Sequence, residues 1–250
     1  MPLSLDHVST IEADAARIRA AYERDRSARI PWSDRWTVRS VARHVGGASH
    51  VVAGIIHGRP TADFGLFDTL EQPPKDDPSF PAWFTAGVDA LCKALRTTDL
   101  DEPCWTSIPE GRGVRFWLRR MTHEMVVHRW DAEVGAGWDP VHFDAAVAED
   151  GIDEYLTLAV PALRRDRRSP GGPPVHVTCT DVGGSWSLQT ADDGACTVST
   201  TPVPAAATLR GPAAGLLLAL YGRLSLDEAG VEVDGDPSVL ELRDDLLPRG

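Results

Sequence analysis

A glutamate and a histidine four residues apart are the side chains of this sequence best placed to do chemistry together. Glu124 and His128 lie in the segment from Met121 to Glu133, for which the pattern predicts a helix. Residues four apart on a helix project from one face, one turn apart. Carboxylate and imidazole are both ligands of zinc. The spacing therefore indicates a candidate site for a divalent metal.

The same pair also has simpler explanations. A solvated pair or a hydrogen-bonded pair in a helical core has the same spacing. The segment is not the HExxH motif of metalloproteases, because Val127 stands where that motif needs its second histidine. His123 is close in sequence, but a helix turns it about 100° away from Glu124. A metal at this helix therefore requires a third ligand from elsewhere in the chain.

Four helices predicted in the first part of the chain would surround this pair. Apolar residues recur at steps of three and four in each of them. The helices are expected over residues 4–27, 38–57, 79–97 and 114–135. Thr37 is a suitable N-cap for the second helix, and residues 58–80 form a long irregular crossover before the third. Four helices with one long connection predict a four-helix bundle over residues 1–140.

The second part of the chain has a different pattern. A fifth helix is predicted over residues 144–163, and beyond Gly172 the hydrophobic period changes to two. Strands are expected at 175–180, 185–190, 196–200, 206–210 and 231–234, and helices at 212–223 and 237–247. This order predicts a smaller α+β domain over residues 141–250.

The second predicted helix supplies the best third ligand. Five of the eight histidines are explained more simply by surface or capping roles: His7 and His57 near helix ends, His50 within the second helix, His142 in a linker and His176 on a strand. His44 instead lies within a helix, beside Gly46 and Gly47, which allow close approach of another backbone or a ligand. Sites in bundles are built from facing helices. Three protein ligands would leave a fourth position open, as in catalytic zinc sites.

Composition excludes several classes of function. The net charge of −12 argues against binding to nucleic acid or to anionic membrane surfaces. No apolar run reaches the ~20 residues that a transmembrane helix needs. The N-terminus shows no signal-peptide pattern, so a cytoplasmic location is expected. The protein is expected to be a monomer or a small homo-oligomer. The four cysteines show no metal-binding spacing and are expected to be small buried hydrophobic residues.

Three segments carry a resemblance to a known family. WTVRSVARHVGG, from Trp36 to Gly47, resembles the W-T-V-x-D-x-x-x-H-L segment of DinB-like metal-binding bundles. HEMVVHRWDAE, residues 123–133, is similar to the signature of the mycothiol-dependent maleylpyruvate isomerase family. LLLALYGR, residues 216–223, resembles the L-L-W-G-R segment of that family. The chain departs from the family pattern at Ser40, where aspartate is usual, and at Tyr221, where tryptophan is common.

The resemblance implies both a fold and a chemistry. The fold is a DinB-like bundle followed by a small α+β domain. The chemistry uses a divalent metal, normally zinc, held by His44, Glu124 and His128, with the thiol mycothiol as cosubstrate. Metal coordination deprotonates a thiol and makes it usable near neutral pH. In the isomerase, the thiolate adds to a cis double bond, the single bond rotates, and elimination releases the trans product. The same thiolate could displace a leaving group or open an epoxide, which is S-transferase chemistry.

Arg223 and Asp131 each have a predicted functional role and a simpler structural interpretation. Arg223 is predicted to serve the substrate or the cosubstrate, because a guanidinium binds a carboxylate through two hydrogen bonds and does not ligate a metal. The alternative is an arginine that interacts with the carbonyls at a helix end. Asp131 either orients a ligand or a neighbouring arginine, or forms a surface salt bridge.

The leading prediction is a mycothiol-dependent metalloenzyme, an isomerase or an S-transferase, acting on a small electrophile. A thiol-dependent tailoring enzyme of natural-product biosynthesis is a second possibility. A bundle that binds a metal or thiol without turnover is a third. Fold does not decide among them.

Overall fold

The structure, a computed structural model, describes residues 6–58, 77–108, 111, 113–161, 172–191, 195–201 and 203–241. The chain divides into two units, residues 1–141 and 142–250. Helices fill the described part of the first unit, and the second contains a mixed sheet with helices. The predicted α+β class is confirmed. None of the helices in the described ranges is long and apolar enough to cross a membrane.

Four long helices form the first unit. They are α1 (His7–Asp25), α2 (Val38–Ile56), α3 (Phe80–Thr97) and α4 (Gly113–Gly135). Each places its apolar stripe in a shared core, as the helical spacing requires. The most deeply buried side chains of these stripes include Ile11, Ile18, Val41, Val45, Leu91 and Met125. Most of the predicted crossover over 58–80 lies outside the described residues.

Helix α2 begins at a reciprocal cap. The backbone N–H of Ser40 donates to Oγ1 of Thr37, and the backbone N–H of Thr37 donates to Oγ of Ser40. Gly46, further along α2, allows α3 to approach, since a Cβ there would lie 2.8 Å from the Trp83 ring. Around Gly47 there is open space. The predicted close approach therefore occurs at Gly46, where the side chain of Trp83 packs against the helix backbone.

Buried ionic groups connect α1 to α4. Arg129 lies against Asp14 at 3.0 Å and donates to Glu133 at 2.8 Å. Arg129 also donates to the carbonyl of Val141, and the Val141 N–H donates to Glu133. Arg17, whose side chain is partly exposed, extends this network by pairing with Glu133. These bonds fix the residues that follow α4 to the body of the first unit.

The second unit begins with α5 (Ala145–Glu154), which continues as a π-helical turn over Tyr155–Ala159. The strands are β1 (Gly172–Cys179), β2 (Ser185–Thr190), β3 (Cys196–Ser199), β4 (Ala207–Gly211) and β5 (Glu232–Gly235). Their order is β3-β2-β1-β4-β5. Only β1 and β4 of these strands run parallel. Val175, Val177 and Leu209 are fully buried, in accordance with the period of two.

The two short helices of the second unit differ from the prediction. Helix α6 (Ala213–Leu220) ends three residues before Arg223, where the sequence predicted its end. Gly222 has a φ of +68°, a conformation that favours glycine and stops the helix. The N–H of Arg223 then donates to the carbonyl of Leu218, which closes the last turn. Helix α7 is Ser238–Glu241, and the rest of the predicted closing helix lies outside the described residues.

Candidate metal centre

Three side chains of types that can bind a metal come from two helices and meet in the first unit. His44 comes from α2, and Glu124 and His128 come from α4. Oε2 of Glu124 lies 3.3 Å from Nε2 of His44 and 3.3 Å from Nε2 of His128. One ligand atom from each residue lies within 4.8 Å of the other two. The residues predicted as ligands are therefore brought together, although His44 lies 80 positions before Glu124 in the sequence.

Local helix geometry and helix packing create this arrangement. The four-residue spacing puts Glu124 and His128 on the face of α4 that packs against α2. Solvent exposure increases across the cluster: 9% of the His128 side chain, 25% of the Glu124 side chain and 40% of the His44 side chain are accessible to solvent. The cluster is thus fixed at its His128 end and accessible at its His44 end.

Asp131 fixes the orientation of the buried imidazole. One of its carboxylate oxygens accepts a hydrogen bond from Nδ1 of His128 at 2.8 Å, and the aspartate side chain is 1% exposed. This contact directs Nε2 of His128 toward Glu124. Of the two predicted roles for Asp131, a surface salt bridge is therefore wrong. Burial opposes the charged imidazole, but the hydrogen bonds to Asp131 and Glu124 raise the pKa of His128 to about 9.

Arg120 holds the other oxygen of the glutamate. Its guanidinium lies 3.1 Å from Oε1 of Glu124, one helical turn before it on α4. Burial favours the neutral acid, but the charge of Arg120 and the hydrogen bonds to His128 and His44 outweigh it and hold the pKa of Glu124 well below its usual value. The carboxylate therefore stays ionised, with one oxygen turned toward each set of partners. Arg120 was not among the residues predicted from sequence, although its four-residue spacing from Glu124 places the two on one face of a helix.

Trp36 provides an aromatic wall beside the two imidazoles. Its ring stacks on His128 with a centroid separation of 5.7 Å and lies 5.4 Å from His44. The residue comes just before α2, where the bridge between Arg29 and Thr37 positions the chain. An indole in this place restricts how the two imidazoles can rotate and limits the access of water to one side of the cluster.

The donor set fits a divalent cation of the zinc type. Two imidazole nitrogens and one carboxylate oxygen are ligands that zinc binds at ~2.0–2.2 Å. For a tetrahedral ion at such distances, neighbouring ligand atoms lie about 3.3 Å apart. The two measured separations from Oε2 of Glu124 are 3.3 Å. The residues are thus close to the spacing that an ion would require, and three ligands leave one position for another molecule.

The other predicted residues lie elsewhere or form different contacts. His123 is fully buried and does not join the cluster, as its position on the helix predicted. Arg223 lies in the second unit just beyond α6, where its guanidinium donates to the carbonyl of Tyr221 at 2.7 Å. That contact matches the helix-end alternative, and a role with the substrate stays a prediction.

Comparisons with known proteins agree with this architecture. Residues 8–133 match the family model described as the mycothiol maleylpyruvate isomerase N-terminal domain. Residues 146–242 match the model described as the MDMPI C-terminal domain. A crystal structure of the mycothiol-dependent maleylpyruvate isomerase has a TM-score of 0.65 at 13% identity, covering 98% of this chain and 96% of that chain.

A histidine-to-alanine mutant of that isomerase has a TM-score of 0.64, with the same identity and coverage. At 13% identity these two structures establish the fold alone. The search of curated proteins finds no match.

Proposed function

The chain belongs to the mycothiol maleylpyruvate isomerase family, and from that premise we propose that it is a metal-dependent enzyme that uses mycothiol. We propose zinc as the metal and His44, Glu124 and His128 as its ligands. The reaction is the cis–trans isomerisation of a small maleylpyruvate-like acid, or transfer of the thiol to a related electrophile.

The observation that carries this proposal is the convergence of three ligand atoms on a partly open site. Structural zinc sites are closed by four protein ligands, whereas catalytic sites use three and leave one position for a reactant. In the described part of the chain, the cluster offers three side chains of the right types. A bound divalent cation would lower the pKa of a coordinating thiol, so that the thiolate is available near neutral pH.

The surrounding side chains prepare the site for this chemistry. Asp131 keeps Nδ1 of His128 engaged, which directs the Nε2 lone pair at the metal position. Arg120 engages Oε1 of Glu124 and leaves Oε2 toward the two imidazoles. Trp36 packs against both imidazoles and limits rearrangement of the ligands. Each contact reduces the reorganisation that binding would otherwise require.

The isomerisation needs a thiolate and no net redox change. The sulfur adds to one carbon of the cis double bond, which places the electron pair on the conjugated acid. Rotation about the resulting single bond and elimination of the same sulfur restore the double bond as trans and return the thiolate. We propose that Arg223 binds a carboxylate during this sequence, because its guanidinium is always charged and suits a planar anion.

The experiment is incubation of the zinc-loaded protein with mycothiol and maleylpyruvate, with products separated by chromatography and identified by mass. The trans isomer, formed only with mycothiol present, supports the isomerase. A covalent thiol adduct of a related electrophile supports S-transfer. His44→Ala should abolish either product, and His123→Ala serves as the matched histidine control. Metal and thiol binding without any product would contradict an enzymatic function.

A further inference from the structure

A charged side chain that is not a proposed metal ligand lies beside the cluster. Arg120 lies on α4, 3.1 Å from Oε1 of Glu124, and 15% of its side chain is exposed. The opposite oxygen, Oε2, faces the imidazoles of His44 and His128. The guanidinium is therefore on the far side of the same carboxylate that would bind the ion.

The environment of this ion pair distinguishes it from an ordinary pair on a helix surface. Arg19 and Glu23 have the same four-residue spacing on α1, but they lie 3.9 Å apart and about half of each side chain is exposed. A pair of that kind contributes little, because solvent screens the charges. The pair of Arg120 and Glu124 is closer and more buried, so the guanidinium charge acts on the site with less screening.

The charges around the site can be added. Glu124 and Asp131 are carboxylates that contact the ligand set, and together they would neutralise a divalent ion. An anion in the open position is attracted by the ion itself, but the two carboxylates offset part of that attraction. Arg120 adds one permanent positive charge, since a guanidinium does not lose its proton in this range of pH. With Arg120, the loaded site carries a net positive charge before a reactant binds.

We infer that Arg120 is a specificity-determining residue that makes the open position of the metal select anionic ligands over neutral ones. The class of ligand is a small monovalent anion, such as a thiolate or a carboxylate. The inference rests on the proposed function for the presence of the metal. It goes further by assigning the choice of reactant to a residue that is not a metal ligand.

The test compares one anionic and one neutral probe on the same protein. Cobalt(II) is loaded into the metal-free protein, and its visible absorption reports each ligand that enters the open position. Azide is the anionic probe and imidazole the neutral probe, both titrated at one fixed pH. The variants are Arg120→Gln, which removes the charge, and Arg120→Lys, which retains it. Arg115→Gln is the matched control, because Arg115 is on the same helix in an exposed pair with Asp101.

We expect Arg120→Gln to weaken azide binding by about tenfold or more, because one charge within ~10 Å has an effect of that size at an effective dielectric constant near 20. Imidazole binding should change less than azide binding, Arg120→Lys should keep most of the azide affinity, and Arg115→Gln should match the wild type. Equal losses for both probes would show a merely structural role, and unchanged azide binding would also overturn the inference. If the wild-type protein binds no cobalt, the proposed function fails instead, so the two failures are distinguishable.

Discussion

The contact between Asp131 and His128 leads to a prediction in which two effects of known sign oppose each other. Asp131→Asn removes the negative charge that faces Nδ1 of His128 while keeping nearly the same side-chain shape. The variant retains an oxygen that can accept the hydrogen bond. Its effect on metal binding should therefore come from charge rather than from a cavity or a lost contact.

The first effect is proton competition. A metal binds neutral imidazole, so a proton on His128 must leave before the ion can bind. With a pKa of about 9, proton release reduces the apparent affinity at pH 7 by about 100-fold, which is about 2.7 kcal/mol. In Asp131→Asn the pKa of His128 falls toward its ordinary value, and most of this competition disappears. This effect favours the variant, and it diminishes as the pH rises.

The second effect is the loss of support for the ligand. Removing a carboxylate that contacts a ligating histidine typically lowers metal affinity about 10–100-fold. This effect favours the wild type at every pH. The two effects are of similar size at pH 7, where the two proteins should bind zinc within about tenfold of each other. At pH 9.5 only the second remains, and the wild type should bind about 10–100-fold more tightly.

The assay is zinc competition with a chromophoric chelator from pH 6.5 to 9.5, corrected for protonation of the chelator. The wild-type affinity should rise by about tenfold per pH unit from pH 7 to 9, with one proton released per ion. The variant should show a much smaller slope. Asp101→Asn, which alters an exposed pair in the same unit, should follow the wild type. Parallel curves for Asp131→Asn and the wild type would refute this account of the contact.

Three further predictions concern other residues. The wild-type chain should retain one zinc ion after dialysis, as measured by elemental analysis. His44→Ala should lose this ion, whereas His123→Ala should keep it. Full zinc occupancy in His44→Ala would contradict the proposed site. Burial raises the pKa of Asp14 from 3.8 to about 6, so its stabilising effect is complete below pH 3.8 and is lost as the pH rises through 6. The unfolding free energy of the metal-free wild type, measured by denaturant titration, should therefore fall relative to Asp14→Asn by up to about 3 kcal/mol between pH 4 and 7, and a constant difference would contradict this. Arg223→Ala should lower turnover more than tenfold without changing zinc content, because a hydrogen bond to a charged group contributes about 1.5–3 kcal/mol. Arg223→Lys should recover part of the loss, and unchanged kinetics would leave Arg223 as a helix-end residue.

The parts of the site that were predictable from sequence are those fixed by local geometry. Glu124 and His128 share a face because any helix places residues four apart together. His44 required a weaker argument by elimination, in which the other histidines were assigned surface or capping roles and His123 was excluded by its position on the helix. The structure brings His44 to the other two because α2 packs against α4, and helix packing is not encoded in spacing alone.

Other features depended on tertiary contacts that spacing does not report. Trp36 stands in a segment without periodicity, so its position against the imidazoles follows from how that segment folds back on α2. The ionic contact between Asp14 and Arg129 joins two helices that are distant in sequence. The apolar pattern predicts that α6 ends at Arg223, but the helix ends at Leu220, because Gly222 adopts a positive φ that stops it.

The most direct test of the central claim is X-ray absorption fine structure of the zinc-loaded protein, measured before and after mycothiol is added. Before addition, the account expects only nitrogen and oxygen neighbours, from two imidazoles, one carboxylate and solvent. After addition, one sulfur neighbour should appear at about 2.3 Å, with both imidazoles retained, and His44→Ala should show neither state. A zinc shell that never gains sulfur, or one that contains sulfur before any thiol is added, would contradict the account.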